Sequence, residues 1–346
     1  LRLKLDGEAL ASNWRALDRL GGDAQTGAAV KADGYGLGAI KTVDILSNIG
    51  CRDFFVAHWQ EALALKDHID PSRLSVLNGI LPHDIDIARQ LGAKPVINSV
   101  SQAERWANAG GGLCDLMIDS GINRLGVAPE ELNHRAFAML DIDICMSHLA
   151  SADEDSPQNA AQQKLFDAAR QNIPARRYSL ANSAGISLGQ NYHYNLTRPG
   201  LSLYGGVPRH ELSAHIKPVV RTEAAILQIR NVKSGAHIGY NATFTAQHDM
   251  RLAIVALGYA DGYLRSFSNK GAFVHNGLKL PVVGRVSMDL TIVDISAACK
   301  VDGEQLQEGD WLILDYNLSD SARISGLSQY ELLTGLGSRF GKIWKD

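Results

Sequence analysis

The chain has 346 residues, with 34 Lys and Arg against 37 Asp and Glu and a net charge of −3. That length carries two sizeable cores, or one large barrel with an appendage. The balanced charge argues against a general nucleic-acid binder, which needs a basic excess on one face. Apolar runs such as Leu252–Leu257 fall far short of the roughly 18 residues of a membrane span. The opening LRLKLDGEAL lacks the apolar core of a secretory signal, although the chain starts without Met and a trimmed leader stays open. Cys51, Cys114, Cys145 and Cys299 lie far apart in sequence, so no metal knot is expected, zinc included. Cys114 and Cys145 sit in apolar runs, which reads as buried reduced thiols and a cytoplasmic home.

Short apolar runs recur through the first two hundred residues: Ala28–Val30, Phe54–Ala57, Leu74–Leu77, Pro95–Ile97, Leu113–Ile118, Ile142–Met146, Tyr178–Leu180 and Leu201–Tyr204. Helical signals lie between most of them. Ser99 or Ser101 can cap a helix that Gly110 stops. Ser156 caps another, with Pro157 at its first position and Ala160, Leu165 and Ala169 on one side. Eight strand-like runs alternating with helices predict a closed (β/α)₈ barrel of α/β class. An open doubly wound sheet would carry an early GxGxxG, which is missing.

After Pro218 the texture changes to β-branched segments separated by Ser234-Gly235, Asn276-Gly277, Asp302-Gly303 and Gly309-Asp310, and helical pattern returns only near Leu327–Leu336. The expected domains are a barrel over 1–215 and a mostly β domain over 216–346, with the boundary near His210–Lys217.

A barrel's active site lies at the carboxyl ends of its strands. The first strand ends on Lys31, followed by Tyr35 and three glycines. A lysine at a barrel mouth is partly desolvated, and its neutral amine can attack a carbonyl such as that of pyridoxal phosphate. A surface lysine is the plain alternative. After the fifth strand comes Asp119 to Arg124, and after the sixth Ser147-His148. Asn182-Ser183-Ala-Gly185 after the seventh and Arg198-Pro-Gly200-Leu201 just before the eighth can form an anion nest.

Together these motifs resemble the alanine racemase family over essentially the whole chain. AAVKADGYGLGA is similar to the family's cofactor-lysine signature. Phe54–Lys66, Ile118–Val127, Met146–Asp153, Ala181–Gly185, Thr197–Gly205, Ile238–Phe244, Gly258–Arg265, Val283–Leu290 and Gln329–Arg339 follow in the family's order. The resemblance implies a homodimer with pyridoxal phosphate on Lys31, alanine as substrate, and neither membrane nor nucleic acid as partner. It implies that Lys31 and Tyr240 exchange the substrate's Cα proton on opposite faces, and that Arg198 meets the cofactor's ring nitrogen. It places Tyr35, Ser183, Gly200, Leu201 and Tyr330 around the phosphate. Arg124 would reach the cofactor's phenolic oxygen and, with Met288, hold the carboxylate. His148 is a further cofactor-binding residue by resemblance, and Tyr240 and Met288 would come from the partner subunit. Tyr259, Tyr330, Arg265 and Arg285 would line the entrance.

Tyrosine titrates near 10, so about one in a thousand is ionised at pH 7, a deficit of roughly 4 kcal/mol. His148 and Arg198 are the cationic or hydrogen-bonding neighbours expected to lower Tyr240. Without the resemblance, Tyr240 reads as a half-buried strand tyrosine and Arg198 as a structural salt bridge.

Two positions depart from the family pattern. Met117 stands where many members carry a carbamylated lysine that orients the arginine, which leaves Asp119, another neighbour or a bound anion to hold Arg124. Ser179 replaces a histidine that supports Arg198, so Arg198 is expected to be less constrained, through a water. The rival readings are an amino-acid decarboxylase of the same architecture, a broad-specificity racemase, and a non-catalytic cofactor-binding barrel. The triple glycine Gly110–Gly112 precedes a strand and is poorly placed to cradle the decarboxylase's phosphate.

Overall fold

The computed structural model describes residues 1–298 and 306–345, and two compact units divide the chain. Cys299 and the Asp302-Gly303 turn lie outside the described residues.

The first unit, Glu8–Lys217, is a curled parallel barrel. Seven strands pair in chain order: Ala28–Ala29, Phe54–Val56, Leu74–Val76, Lys94–Ile97, Leu113–Met117, Asp141–Met146 and Arg177–Ser179. Phe54–Val56, Leu74–Val76 and Lys94–Ile97 are buried at every position, because helices cover one face and the barrel interior the other. Leu196–Thr197 supplies the eighth strand, pairing with Gln25–Thr26. The N–H groups of Gln25, Gly27 and Ala29 donate to Asn195, Thr197 and Pro199, while those of Ala28 and Val30 donate to Asp53 and Phe55. The first strand is therefore bonded on both sides and the barrel closes.

That pairing corrects the reading of the eighth run. Leu201–Tyr204 is a 3₁₀ turn, and the strand precedes it. Four buried residues in a row do not distinguish a turn from a strand by periodicity. The shift places Arg198-Pro-Gly200 after the eighth strand, at the barrel mouth.

Ser99 caps the helix Val100–Asn108, its hydroxyl accepting from Gln102 N–H at 3.2 Å. Ser156 caps Pro157–Arg170. The buried face of that second helix is not the one expected: Asn159, Gln162, Phe166 and Ala169 point inward, while Ala160 and Leu165 are exposed. The two amides satisfy loop carbonyls, a demand that hydrophobic periodicity does not register.

The second unit combines Leu1–Gly7 with Pro218–Asp346. Its centre is the long strand Val220–Val232. The first half pairs with Arg2–Asp6 and Trp311–Leu314, and the second half, beyond a bulge between Ile226 and Gln228, with Met250–Val255. Arg2–Asp6 also pairs in parallel with Gly341–Lys345, tying both described ends of the chain into one sheet. Asn276 (φ 48°) and Gly277 (φ 77°) close the hairpin Ala272–His275/Leu278–Pro281 as a type I′ turn. A helix over Leu318–Ser325 precedes the expected one, which runs over Gln329–Thr334. Among the described residues, no helix is long and apolar enough to cross a membrane.

Candidate active site

Lys31 follows the first barrel strand and opens one tight turn, Lys31–Tyr35. Ala32, Asp33, Gly34 and Tyr35 all have φ between 53° and 61°. A left-handed run of this kind costs roughly 1–2 kcal/mol for each residue with a Cβ, so its surroundings must hold it. Glycine relieves it at Gly34, where a Cβ would lie 3.1 Å from Ala39 N. Glu61 accepts from Ala32 N–H at 2.7 Å, Asp33 accepts from Ala39 N–H at 2.9 Å, and the Tyr35 ring stacks on Tyr204 at 4.7 Å.

Lys31 is half-buried. Burial holds its amine below the usual lysine range, Arg124 and Arg198 push it the same way, and Glu61 opposes them. Burial and then the charges of Arg198, Arg124 and Lys31 push His148 down to about 3, so its ring is neutral at pH 7. Burial pulls Arg198 to about 10, which leaves it cationic.

Arg198 is buried and donates to the Ser179 hydroxyl and to the Ser147 carbonyl, the latter at 2.6 Å. Ser179 in turn donates to Leu196 O at 2.5 Å. The contact with Ser179 is direct, which corrects the expected water-mediated support. No ion pair engages Arg198 among the described residues, so the salt-bridge alternative does not hold. Ser147 also shares a 2.7 Å hydroxyl contact with Ser120, and Gln162 bonds His148 O, Ala150 N–H and Ser120 Oγ.

Ser183 Oγ accepts from Gly200 N–H at 2.9 Å and from Ser202 N–H at 3.2 Å. A Cβ at residue 200 would come 2.2 Å from the Tyr35 hydroxyl oxygen, so only glycine lets Tyr35, Ser183 and the residue 200 backbone converge. Leu201 follows, and the buried Ser202 hydroxyl finds no hydrogen-bond partner among the described residues. This glycine-floored cradle with an orphaned hydroxyl, beside a lysine of lowered pKa and a buried cation, fits a phosphorylated carbonyl cofactor.

Arg124 is exposed, and no hydrogen bond or ion pair holds it among the described residues. Asp119 does not hold it: its carboxylate accepts from Gly121, Ile122 and Asn123 N–H at 2.8–3.2 Å and braces the loop instead.

The remaining candidates lie in the second unit. Tyr240 is 66% exposed on a 3₁₀ turn, which contradicts the half-buried strand reading, and Met288 is 54% exposed. Tyr259 N–H donates to Ser287 O and Ala260 N–H to Met288 O, each at 3.0 Å, so the Tyr259 and Met288 loops are one piece. A Cβ at Gly239 would lie 3.3 Å from Arg285 N, which places the Tyr240 turn against the same loop. Arg265 sits 5.3 Å over the Tyr259 ring. Tyr330 is 39% exposed on the helix Gln329–Thr334.

Glu61, Ser120, Gln162 and Tyr204 escaped the sequence reading. Glu61 closes a helix start three residues after His58, but histidine is not among the residues that mark an N-cap in sequence.

Residues 5–208 match the alanine racemase N-terminal domain, and residues 219–344 match the alanine racemase C-terminal domain. This chain belongs to the alanine racemase family. A relative from Agrobacterium fabrum named alanine racemase, catabolic, is 42% identical over 99% of this chain and 91% of its own length. The crystal structure of the family member from Bartonella henselae, with covalently bound pyridoxal phosphate, superposes with a TM-score of 0.91 at 34% identity, covering 99% of each chain. The biosynthetic alanine racemase of Pseudomonas aeruginosa gives 0.89 at 30% identity, covering 100% of this chain and 99% of its own.

Proposed function

We propose that this chain interconverts L- and D-alanine with pyridoxal phosphate carried on Lys31, through two proton-transferring groups. Arg198 is the observation that carries the reading: a buried cation that donates to a hydroxyl and a carbonyl and has no ion-pair partner among the described residues, at the mouth of a barrel whose first strand ends on a lysine of lowered pKa. When bound, the cofactor supplies a conjugated ring that draws electrons from the substrate's Cα–H bond.

Lys31, once its amine is free, moves the proton at Cα on one face, and burial keeps a share of that amine neutral and basic. The Tyr240 phenol serves the other face. Its exposure on the second unit supports a site built from two copies of the chain, with Met288 N–H and Arg124 holding the substrate carboxylate. Ser183, Tyr35, Gly200, Leu201 and Tyr330 would hold the phosphate. Arg198 would face the cofactor's ring nitrogen and, as it can only donate, would leave that nitrogen unprotonated, which would weaken electron withdrawal and favour racemisation over transamination. A decarboxylase would place a carboxylate there, and Ser179 and Ser147 are neutral.

Buried thiols at Cys51, Cys114 and Cys145 support a reducing, cytoplasmic home. For the physiological role, supply of D-alanine to cell-wall peptidoglycan competes with a catabolic role, which the name of the Agrobacterium relative favours. The experiment is polarimetry on L-alanine alongside borohydride reduction of the loaded protein. Racemisation with cofactor fixed to Lys31 is expected; carbon dioxide release without racemisation would favour the decarboxylase.

A further inference from the structure

Glu61 has one bond more than a helix cap requires. One carboxylate oxygen accepts from Ala57 N–H at 2.6 Å and from His58 N–H at 3.3 Å, which is ordinary capping of the helix Trp59–Ala64. The other oxygen leaves that helix and takes Ala32 N–H at 2.7 Å, the amide directly after Lys31. The turn it grips is the left-handed one, Ala32 to Tyr35, in which three residues carry a Cβ in a conformation they disfavour. Other backbone bonds of the turn, among them Gly34 N–H to Val30 O, Gly36 N–H to Ala32 O and Gly38 N–H to Asp33 O, are internal to the segment. Glu61 instead fixes the segment to the end of the second barrel strand.

We propose that Glu61 is the positioning residue for Lys31: its carboxylate bridges the ends of the first two barrel strands, locks the strained turn that aims the lysine, and sets a negative charge beside the amine. Electrostatics agrees in sign. Burial, Arg124 and Arg198 lower the Lys31 amine, and Glu61 raises it. The bridge uses both oxygens as acceptors. Glutamine therefore breaks it although it matches the shape, since its amide nitrogen would face a backbone N–H.

The inference rests on the reading of Lys31 as the cofactor-bearing lysine, and the experiment separates the two. The rate of covalent pyridoxal phosphate attachment to the cofactor-stripped full chain is followed against pH in wild type, E61Q, E61D and K31A. Amide hydrogen exchange at Ala32 and kcat/KM of the loaded enzyme are measured beside it. With Glu61→Gln, the midpoint of attachment is expected to move to lower pH because the amine loses its stabilising charge. Ala32 exchange should quicken, and kcat/KM should fall roughly ten- to a hundredfold. With Glu61→Asp the charge stays but the reach shortens, so the midpoint should hold while exchange and kcat/KM change as for glutamine. If E61Q does not fold, wild-type Ala32 exchange and kcat/KM in E61D overturn the proposal. If E61Q folds with a wild-type midpoint and wild-type Ala32 exchange, the proposal fails. Attachment that persists in K31A sinks the reading of Lys31 itself, whereas a silent K31A beside a normal E61Q sinks only the role of Glu61.

Discussion

The two sets of residues proposed for the site, one half in each unit, are built in opposite ways. In the barrel, Arg198, Ser183 and Tyr35 are buried and Lys31 is half-buried; hydrogen bonds hold Arg198 and Ser183, and stacking on Tyr204 holds the Tyr35 ring. In the second unit, Tyr240 and Met288 stand exposed on turns. A half held by strand ends can preorganise a cofactor without help. An exposed phenol has no such enclosure of its own and gains one only against another surface. The contrast teaches that cofactor retention and the second proton transfer should be separable by mutation.

The largest effect is expected for Lys31→Ala, which should remove covalent cofactor and reduce racemisation on the order of 10⁴-fold; borohydride reduction followed by mass spectrometry checks it. Tyr240→Phe comes next. It should leave cofactor absorbance intact and slow racemisation by about 10²–10⁴-fold. Because the side chain is exposed, folding stability should change by no more than about 0.5 kcal/mol. Loss of cofactor in this variant would erase the distinction between the halves.

Arg198→Gln sharpens the comparison on the barrel side. It removes a buried cation from between Ser179 and Ser147. Leaving either group unpaired costs about 1–3 kcal/mol. Weaker cofactor binding and measurable pyruvate from alanine by transamination are expected, and a wild-type pyruvate level would contradict the role given to the arginine.

The smallest effect concerns pH. An unfolded chain protonates histidine near 6.5, and the folded chain protonates His148 only at about 3. Below about 6.5 the unfolded state therefore binds the extra proton, and stability drops as pH falls toward 3. The melting temperature of His148→Asn should decline less steeply over that range than that of wild type.

Much of this was legible in the residues. Seven of the eight strand runs sit where the apolar pattern placed them, since buried parallel strands read as short continuous apolar stretches. The eighth misled because Leu201–Tyr204 is as apolar as a strand while the real strand, Leu196–Thr197, is two residues long. Lys31 and the Ser183–Gly200 cradle were visible because strand ends and glycine turns leave local marks. The support around them was not: Gln162 reads as a polar helix residue, yet it is buried and bonds the backbone beside His148. Nor did the motif AAVKADGYGLGA disclose the left-handed turn, since only Gly34 announces it among four residues with positive φ. Such features depend on partners distant in sequence, which periodicity does not carry.

The central claim is that Lys31 and Tyr240 serve opposite faces of one carbon. The most direct test is exchange of the alanine α-proton in D₂O with Tyr240→Phe, followed by NMR for each enantiomer. One enantiomer, the one whose α-proton faces Lys31, should take up deuterium with retention of configuration while the other stays protonated. Equal loss of exchange in both enantiomers, or racemisation at the wild-type rate, would contradict it.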